Sequence, residues 1–148
     1  MNRANKAFIL KQLKQHNIMS FATMRRDGFP QATTVGYAND GLDIYFCCDR
    51  SSQKAYNLER SNKVSLTIDH DYRNWKRIKG LSMGATAIVL KRTADVKRAL
   101  KLLSQKFPQM NQLSKEELAE TAFVKVRPKL ISLLDYSKGF GHTDLVRV

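Results

Sequence analysis

A short segment of the chain carries the residue types best suited to bind a phosphate group. In "DRSSQKAYNL", Ser51 and Ser52 open a predicted helix, and the cations Arg50 and Lys54 lie on either side of them. A helix N-terminus presents unpaired backbone N–H groups and a partial positive charge, which attract a phosphate. The residues alone slightly favour the alternative, a connecting helix that a serine caps and solvated cations surround.

Few other residues form a recognisable chemical pattern. The chain has no phosphate-binding G-x-x-x-x-G-K-[ST] loop, no G-x-G-x-x-G fingerprint and no G-x-S-x-G nucleophile motif. The histidines His16, His70 and His142 lie far apart in the sequence. The "DHD" segment, residues 69–71, is interpreted as a polar cluster at a strand end, and no metal site is expected. The catalytic residues stay unassigned, with Tyr37, Tyr136 and His142 as candidates.

Hydrophobic periodicity and turn signals predict the elements that position these residues. Helices are predicted over 3–15, from Ser51 or Ser52 to a left-handed stop at Asn62, over 94–107 and over 114–120. Strands are predicted over 17–24, 31–38, 42–48, 63–70 and 81–91, with 122–136 as a strand pair or one long bent strand. The remaining C-terminal residues are predicted to be irregular.

The order of these elements predicts the fold class. Turn signals at 27–28 and 39–41 join the first three strands into an antiparallel meander. Gly84 suggests a bulge, and Pro128 suggests an edge strand or a kink. Because repeated strand-helix-strand crossovers are missing, we expect a mainly β protein with flanking helices, in which at least six antiparallel strands form a barrel or a strongly curled sheet. Residues 1–148 are expected to form a single domain.

Charge and composition limit the function classes. Lys plus Arg total 26 against 13 Asp plus Glu, a formal net charge of +13. A solvated basic surface is favoured over a nucleic-acid footprint, and a basic cleft for a phosphorylated small molecule also fits. No apolar run approaches the roughly 20 residues that span a bilayer. The N-terminus lacks a secretory signal, so we expect a cytoplasmic protein without a membrane partner. Cys47 and Cys48, adjacent on a predicted strand, are expected to be free thiols.

Four segments in order, "MSFATMRRDGFPQATTVGY", "IYFCCDRSSQKAYNL", "SNKVSLTI" and "DYSKGFGHTDLV", resemble the pyridoxamine 5'-phosphate oxidase-like family of flavin-binding split barrels. The resemblance covers roughly residues 10 to 146. It implies a homodimer of six-stranded split β-barrels, with FMN in a groove at the dimer interface that uses residues from both chains.

The resemblance also implies positions for the cofactor-binding residues. The second strand resembles the one that edges the flavin ring, which points to Ala32, Thr33, Thr34 and Val35. The predicted helix start resembles the phosphate-binding turn, which points to Arg50, Ser51, Ser52, Lys54 and Asn57. The segment "NWKRIKG" is similar to the part that lines the cleft, which points to Trp75, Lys76, Arg77 and Lys79. The tail residues Lys138, Phe140 and His142 would close the cleft of the partner chain.

The function that this resemblance implies is a small oxidoreductase that transfers hydride through FMN. Its partners would be a second copy and a small-molecule substrate or electron donor such as NAD(P)H. The arginine- and histidine-containing C-terminal substrate motif of the full-length oxidases is absent, so oxidation of vitamin B6 is not expected. The alternative is a non-enzymatic protein that binds or senses a flavin, a deazaflavin or haem.

Overall fold

The computed structural model describes all of residues 1–148 and contains four α-helices and eight β-strands. The helices are α1 (Arg3–Gln15), α2 (Gln53–Arg60), α3 (Thr93–Lys106) and α4 (Lys115–Ala119). The strands are β1 (Ile18–Met24), β2 (Pro30–Gly36), β3 (Ala38–Asp40), β4 (Asp43–Asp49), β5 (Lys63–Ile68), β6 (Lys79–Val89), β7 (Thr121–Asp135) and β8 (Thr143–Arg147).

All eight strands belong to one antiparallel sheet. Its order is β2-β1-β5-β6-β7-β4-β3, and β8 pairs with β7 beyond the part that β4 covers. The strands at the two ends of this order, β2 and β3, are separated in the chain by Tyr37 alone. The sheet must therefore curl until its ends meet, which gives a half-barrel and confirms the prediction of a mainly β split barrel with flanking helices. Six of the strands are long, and β3 and β8 are short additions.

Tyr37 holds the two ends of the sheet together. Its side chain is fully buried, and its hydroxyl donates a hydrogen bond to the Leu13 carbonyl at the end of α1, at 2.9 Å. The preceding Gly36 packs closely under α3, since a Cβ at this position would lie 3.2 Å from the Phe107 ring. The junction between β2 and β3 is thus fixed by contacts from two helices.

The predicted meander is only half right. The β1–β2 and β3–β4 hairpins form, with Gly28 and Gly41 at positive φ angles of 86° and 58°. The strand predicted over 31–38 forms as β2, but it ends at Gly36, the chain breaks at Tyr37, and β2 does not pair with β4 as the meander requires. Alternation and β-branched residues indicated a strand here, but they carry no signal for the change of partner.

A bulge bends the long central strands β6 and β7. The register shifts between Gly84 and Ala85, and Pro128 lies opposite Ala85. The predicted bulge at Gly84 and kink at Pro128 are therefore confirmed, although Pro128 is not on an edge strand. On the other side of β7 the pairing with β4 ends at Val126 and that with β8 begins at Leu130, so the missing N–H of the proline interrupts neither ladder. The strand β8 lies in the tail that was predicted to be irregular, which is a correction.

The barrel interior holds a core of 20 buried apolar residues, and a smaller cluster lies under α3. Helix α3 packs on the smaller cluster through Ala99 and Leu103, which are buried. On α1, Ile9, Gln12 and Leu13 are buried, whereas Ala4 and Ala7 are exposed. No helix of the structure combines the length and the apolar character that crossing a membrane requires.

The outer face of the sheet is a surface of small side chains, which we call the outer sheet face. Strand pairing places six residues in one row across six strands: Thr34, Ser20, Thr67, Ser82, Ser132 and Leu145. The adjacent row contains Ala32, Ala22, Ser65, Gly84, Leu130 and Arg147. No helix covers these rows, and Leu145 is 62% exposed. Close approach of another flat surface is therefore sterically open here.

Candidate functional site

The N-terminus of α2 has the features of an anion-binding turn. The Ser52 hydroxyl caps the helix and accepts the N–H of Ala55 at 3.4 Å, as predicted. The backbone N–H groups of Gln53 and Lys54 have no partner in the chain. The Lys54 side chain is half-buried and takes part in no ion pair. The first turn therefore carries two free N–H donors and one lysine without an ion pair.

The Asp49 carboxylate places a negative charge beside this turn, and the sequence analysis did not identify it. Its Oδ1 accepts the Ser51 N–H at 2.7 Å and the Ser51 hydroxyl at 2.6 Å. These hydrogen bonds from Ser51 hold the pKa of the Asp49 carboxyl below its usual range, so it is ionised at neutral pH. The N–H and the hydroxyl of Ser51 are thus both hydrogen-bonded within their own turn. An aspartate two residues before a serine is a known turn signal and could have indicated this arrangement.

Arg50 is held away from the first turn of α2. Its N–H donates to the Glu120 carbonyl at 2.9 Å and its Nε donates to the Ala119 carbonyl at 2.8 Å. The guanidinium therefore ties the end of β4 to the end of α4. Of the cations predicted for a phosphate, Lys54 remains available without rearrangement.

Asn57 fastens α2 to the first hairpin. It is 2% exposed, and its Nδ2 donates to Thr23 Oγ1 at 2.9 Å and to Gln31 Oε1 at 3.4 Å. Its Oδ1 accepts from Gln53 Nε2 at 2.8 Å. These bonds satisfy the Asn57 amide inside the chain and fix the helix N-terminus beside β2. The end of α2 departs from the prediction: Asn62 is not left-handed, since no residue other than glycine has a positive φ, and Ser61 ends the helix in an extended conformation.

Strand β2 presents a free edge next to α2. It is the terminal strand of the sheet order, so one side of its backbone lacks a neighbouring strand. Thr33 and Val35 are half-buried, whereas Thr34 is exposed in the outer sheet face. The Thr33 Oγ1 atom is buried and has no hydrogen-bond partner, the only such side-chain atom in the chain. The free edge of this strand can therefore offer backbone groups to a ligand.

A second group of residues forms a cavity of about 810 Å³, which we call the Trp75 pocket. The loop between β5 and β6 and the loop between β7 and β8 build it, and the Tyr136 N–H joins them by donating to the Ile78 carbonyl at 2.9 Å. The aromatic rings of Trp75 and Phe140 lie 5.8 Å apart, and those of Tyr136 and Phe140 lie 5.5 Å apart. The remaining lining residues are Arg73, Asn74, Lys76, Ser137, Lys138 and Gly139.

The predicted cleft residues divide between this pocket and its surroundings. Trp75 and Lys76 line the pocket, whereas Arg77 is exposed outside it. Lys79 forms an ion pair with Asp135 at 3.5 Å. Burial alone would raise the pKa of Asp135, but hydrogen bonds from Ser137 and the charge of Lys79 hold that pKa below its usual range.

The predicted tail residues meet the same loops of their own chain. Lys138 and Phe140 line the Trp75 pocket. The His142 Nε2 and the Lys138 Nζ each lie 3.2 Å from Asp144 Oδ2. These two contacts hold the pKa of the Asp144 carboxyl below its usual range.

The α2 turn and the Trp75 pocket lie at opposite ends of the β1–β5 ladder. Asn57 contacts Thr23, near the C-terminal end of β1. Strand β5 runs antiparallel, with Thr67 opposite Ser20, so the loop that follows β5 leaves at the N-terminal end of β1. The lining of the Trp75 pocket contains no residue of the α2 turn. Within one chain the predicted site residues therefore form two half-sites.

The structure also places the other residues that the sequence analysis named, which are Tyr37, the two cysteines and the two remaining histidines. Burial raises the pKa of Tyr37, and its hydroxyl is bound to a backbone carbonyl, so it is unsuited to proton transfer with a ligand. Cys47 and Cys48 are free thiols, and no cluster of three metal-ligating side chains occurs. His16 and His70 lie with ring centroids 5.5 Å apart, and neither lines the Trp75 pocket.

A curled antiparallel sheet whose two ends meet, with flanking helices, defines the chain as a split β-barrel. The family model described as pyridoxamine 5'-phosphate oxidase matches residues 6–135. The chain therefore belongs to the pyridoxamine 5'-phosphate oxidase family. No curated protein matches the chain.

Solved structures show the same fold at low sequence identity. A Listeria innocua protein with a proposed pyridoxamine 5'-phosphate oxidase activity is 21% identical with a TM-score of 0.73, and the match covers 88% of this chain and 98% of that one. HutZ, the haem storage protein of Vibrio cholerae, is 17% identical with a TM-score of 0.72, covering 84% and 89%. A haem-binding protein of Mycobacterium smegmatis is 15% identical with a TM-score of 0.79, covering 99% and 58%.

Proposed function

We propose that the chain binds FMN and acts as a small oxidoreductase in which the α2 turn holds the cofactor phosphate. The observation that carries this proposal is the pair of free N–H groups at Gln53 and Lys54 under the free Lys54 ammonium, beside the open edge of β2. A phosphate monoester carries about −1.5 to −2 charges at neutral pH. This donor set fits such a group, with the Asp49 carboxylate as an opposing charge.

The chain's own residues would bind and orient the cofactor. Lys54 and the α2 N-terminus hold the phosphate, and Asn57 fixes that N-terminus against the first hairpin. The free backbone edge of β2, with Thr33 and Val35, borders the ring. When bound, FMN supplies the hydride chemistry, and the protein supplies position and electrostatics. Cations of the Trp75 pocket would favour a negatively charged ligand near the ring.

We propose that the active unit is a homodimer formed through the outer sheet face. Two half-sites at opposite ends of one ladder cannot surround one ligand, whereas two chains related by a twofold axis each supply the half that the other lacks. The outer sheet face is uncovered, and its two rows carry only small side chains on β2, β1, β5 and β6. A stable interface buries about 800 Å² on each partner, which an eight-stranded sheet can provide.

Haem is the second candidate ligand, favoured by a specific observation. Next to the Trp75 pocket, the Nε2 atom of His142 lies 3.2 Å from the Asp144 carboxylate, which Lys138 also contacts. A carboxylate on one ring nitrogen orients a histidine and raises the basicity of the other nitrogen toward a metal. Two of the structures with this fold are a haem storage protein and a haem-binding protein. In this reading the protein stores or senses its ligand.

A titration of the purified, ligand-stripped protein tests both candidates. With FMN we expect saturable binding seen as quenched flavin fluorescence, and riboflavin, which lacks the phosphate, should bind at least about tenfold more weakly because the charged hydrogen bonds are lost. Equal affinity for the two flavins would remove the α2 turn from the site. Failure of FMN to bind, together with a haem absorption band that His142→Ala abolishes, would replace the flavin by haem.

A further inference from the structure

The Trp75 pocket combines flat aromatic surface with positive charge. Its three rings, Trp75, Tyr136 and Phe140, are accompanied by Arg73, Lys76 and Lys138, and no carboxylate lines it. Trp75 is 67% exposed and Phe140 is 80% exposed, although burial of such rings is favourable. Contacts within the chain therefore leave the aromatic surface open to a ligand.

The pocket has charge that its surroundings do not neutralise. Lys138 shares the Asp144 carboxylate with His142 at 3.2 Å, and the nearby Asp135 pairs with Lys79. Arg73 and Lys76 form no ion pair and no side-chain hydrogen bond, and both are exposed. Two uncompensated cations thus face a cavity that aromatic rings border.

We propose that the Trp75 pocket binds a nucleotide, with the base against Trp75 and Phe140 and the phosphate between Arg73 and Lys76. A terminal phosphate carries about −1.5 to −2 charges, which two free cations balance, whereas a single carboxylate would leave one of them uncompensated. Bases stack on aromatic side chains with little preference among sequences. The cavity volume of about 810 Å³ suits a ligand of this size.

The nucleotide site extends the proposed function, but nucleotide binding itself does not require that the chain binds FMN. Binding requires only the residues of the two loops, and these lie at the opposite end of the ladder from the α2 turn. The role of the nucleotide as the electron donor of the flavin rests on the proposed function. The two ligands can therefore be tested separately on one protein.

Trp75 is the only tryptophan in the chain, so tryptophan fluorescence reports this pocket alone. We would titrate the purified protein with AMP, adenosine and ribose 5-phosphate under selective tryptophan excitation. AMP should quench the emission saturably, and adenosine and ribose 5-phosphate should each require at least about tenfold higher concentration, because each lacks one of the two contacts. Quenching by ribose 5-phosphate at the AMP concentration would reduce the pocket to an anion site and overturn the proposal, as would equal quenching by adenosine.

Variants that keep Trp75 test the residue assignment. Arg73→Ala and Lys76→Ala should each weaken AMP binding about tenfold, and Phe140→Ala should weaken AMP and adenosine alike. All three side chains are exposed, so the fold should persist. The matched control is Lys101→Ala, an exposed lysine on α3 with the same change of charge. An equal loss in this control would show general attraction to a basic protein and would overturn the proposal.

The flavin signal separates the two proposals. Protein that binds FMN but shows no AMP-dependent change in Trp75 emission contradicts the nucleotide site and leaves the proposed function standing. Protein that binds AMP but no FMN supports the nucleotide site and removes its role as an electron-donor site.

Discussion

Replacing Lys54 by alanine should weaken FMN binding about tenfold. Lys54 is the one cation of the α2 turn without a partner, because Arg50 is bound to the Ala119 carbonyl. Loss of a hydrogen bond to a charged group costs about 1.5 to 3 kcal/mol. Lys54 is only half-buried, so water replaces part of the lost interaction, and we expect the lower end of that range. Since about 1.4 kcal/mol is a factor of ten in affinity, the dissociation constant should rise about tenfold.

The measurement is quenching of flavin fluorescence at several salt concentrations. The variant should also show a smaller dependence on salt, because one charge contact to the phosphate has been removed. Riboflavin has no phosphate, so its affinity should be the same for the variant and the original chain. Lys101→Ala, with the same loss of charge on α3, is the control and should leave FMN binding nearly unchanged. The reasoning is refuted if Lys54→Ala binds FMN as tightly as the control does, or if it weakens riboflavin equally.

Four further outcomes follow from the contacts. Asp49→Asn keeps an acceptor for Ser51 but removes the opposing charge, so FMN should bind more tightly in the same titration. Tyr37→Phe should lower the free energy of unfolding, measured in urea, by about 1 kcal/mol through the lost hydrogen bond. Burial lowers the pKa of Lys106 to about 8 from 10.5, so the unfolded chain binds more protons between these values. The free energy of unfolding should therefore rise with pH from about 8. Above about 10 Tyr37 should oppose this rise, because burial raises its pKa in the folded chain. Lys106→Met should abolish the rise. Ser82→Arg, in the middle of the outer sheet face, should give a monomer by light scattering with an unchanged circular dichroism spectrum.

The elements of this fold could be predicted where local signals agree. Turn signals located both hairpins, and the helix predicted over 114–120 forms as α4, where Ser114 and Glu117 cap the first turn with hydrogen bonds of 2.7 and 3.1 Å. The break at Tyr37 could not be predicted in this way, because it arises from long-range pairing: β2 and β3 join opposite ends of the sheet. The strand β8 was missed because it gains its order from pairing with β7.

The roles of the site residues could likewise be predicted where they depend on neighbours in the sequence, and not where they depend on distant residues. The cap at Ser52 depends on four neighbouring residues and was predicted, whereas the commitment of Arg50 depends on Ala119, which is 69 positions away. Asp49 is the instructive miss. Its carboxylate lies directly before Arg50 in the sequence and weakens the anion site. A search of the sequence for hydrogen-bond donors and cations alone does not find it. A sequence reading of a phosphate site should therefore count the charges that oppose the ligand as well as those that attract it.

The separation of the two half-sites makes the quaternary structure part of the chemistry. Residues carried over from a family by resemblance, such as Lys54 and Trp75, are expected to share one ligand, but the β1–β5 register places their elements at opposite ends of a ladder. If one ligand uses both, a second chain must bring them together, and a change on the outer sheet face far from either residue must then abolish binding. Loss of FMN affinity in monomeric Ser82→Arg would support this two-chain site. Full affinity in the monomer would mean that α2 and β2 hold the cofactor alone and that the Trp75 pocket serves only its own ligand.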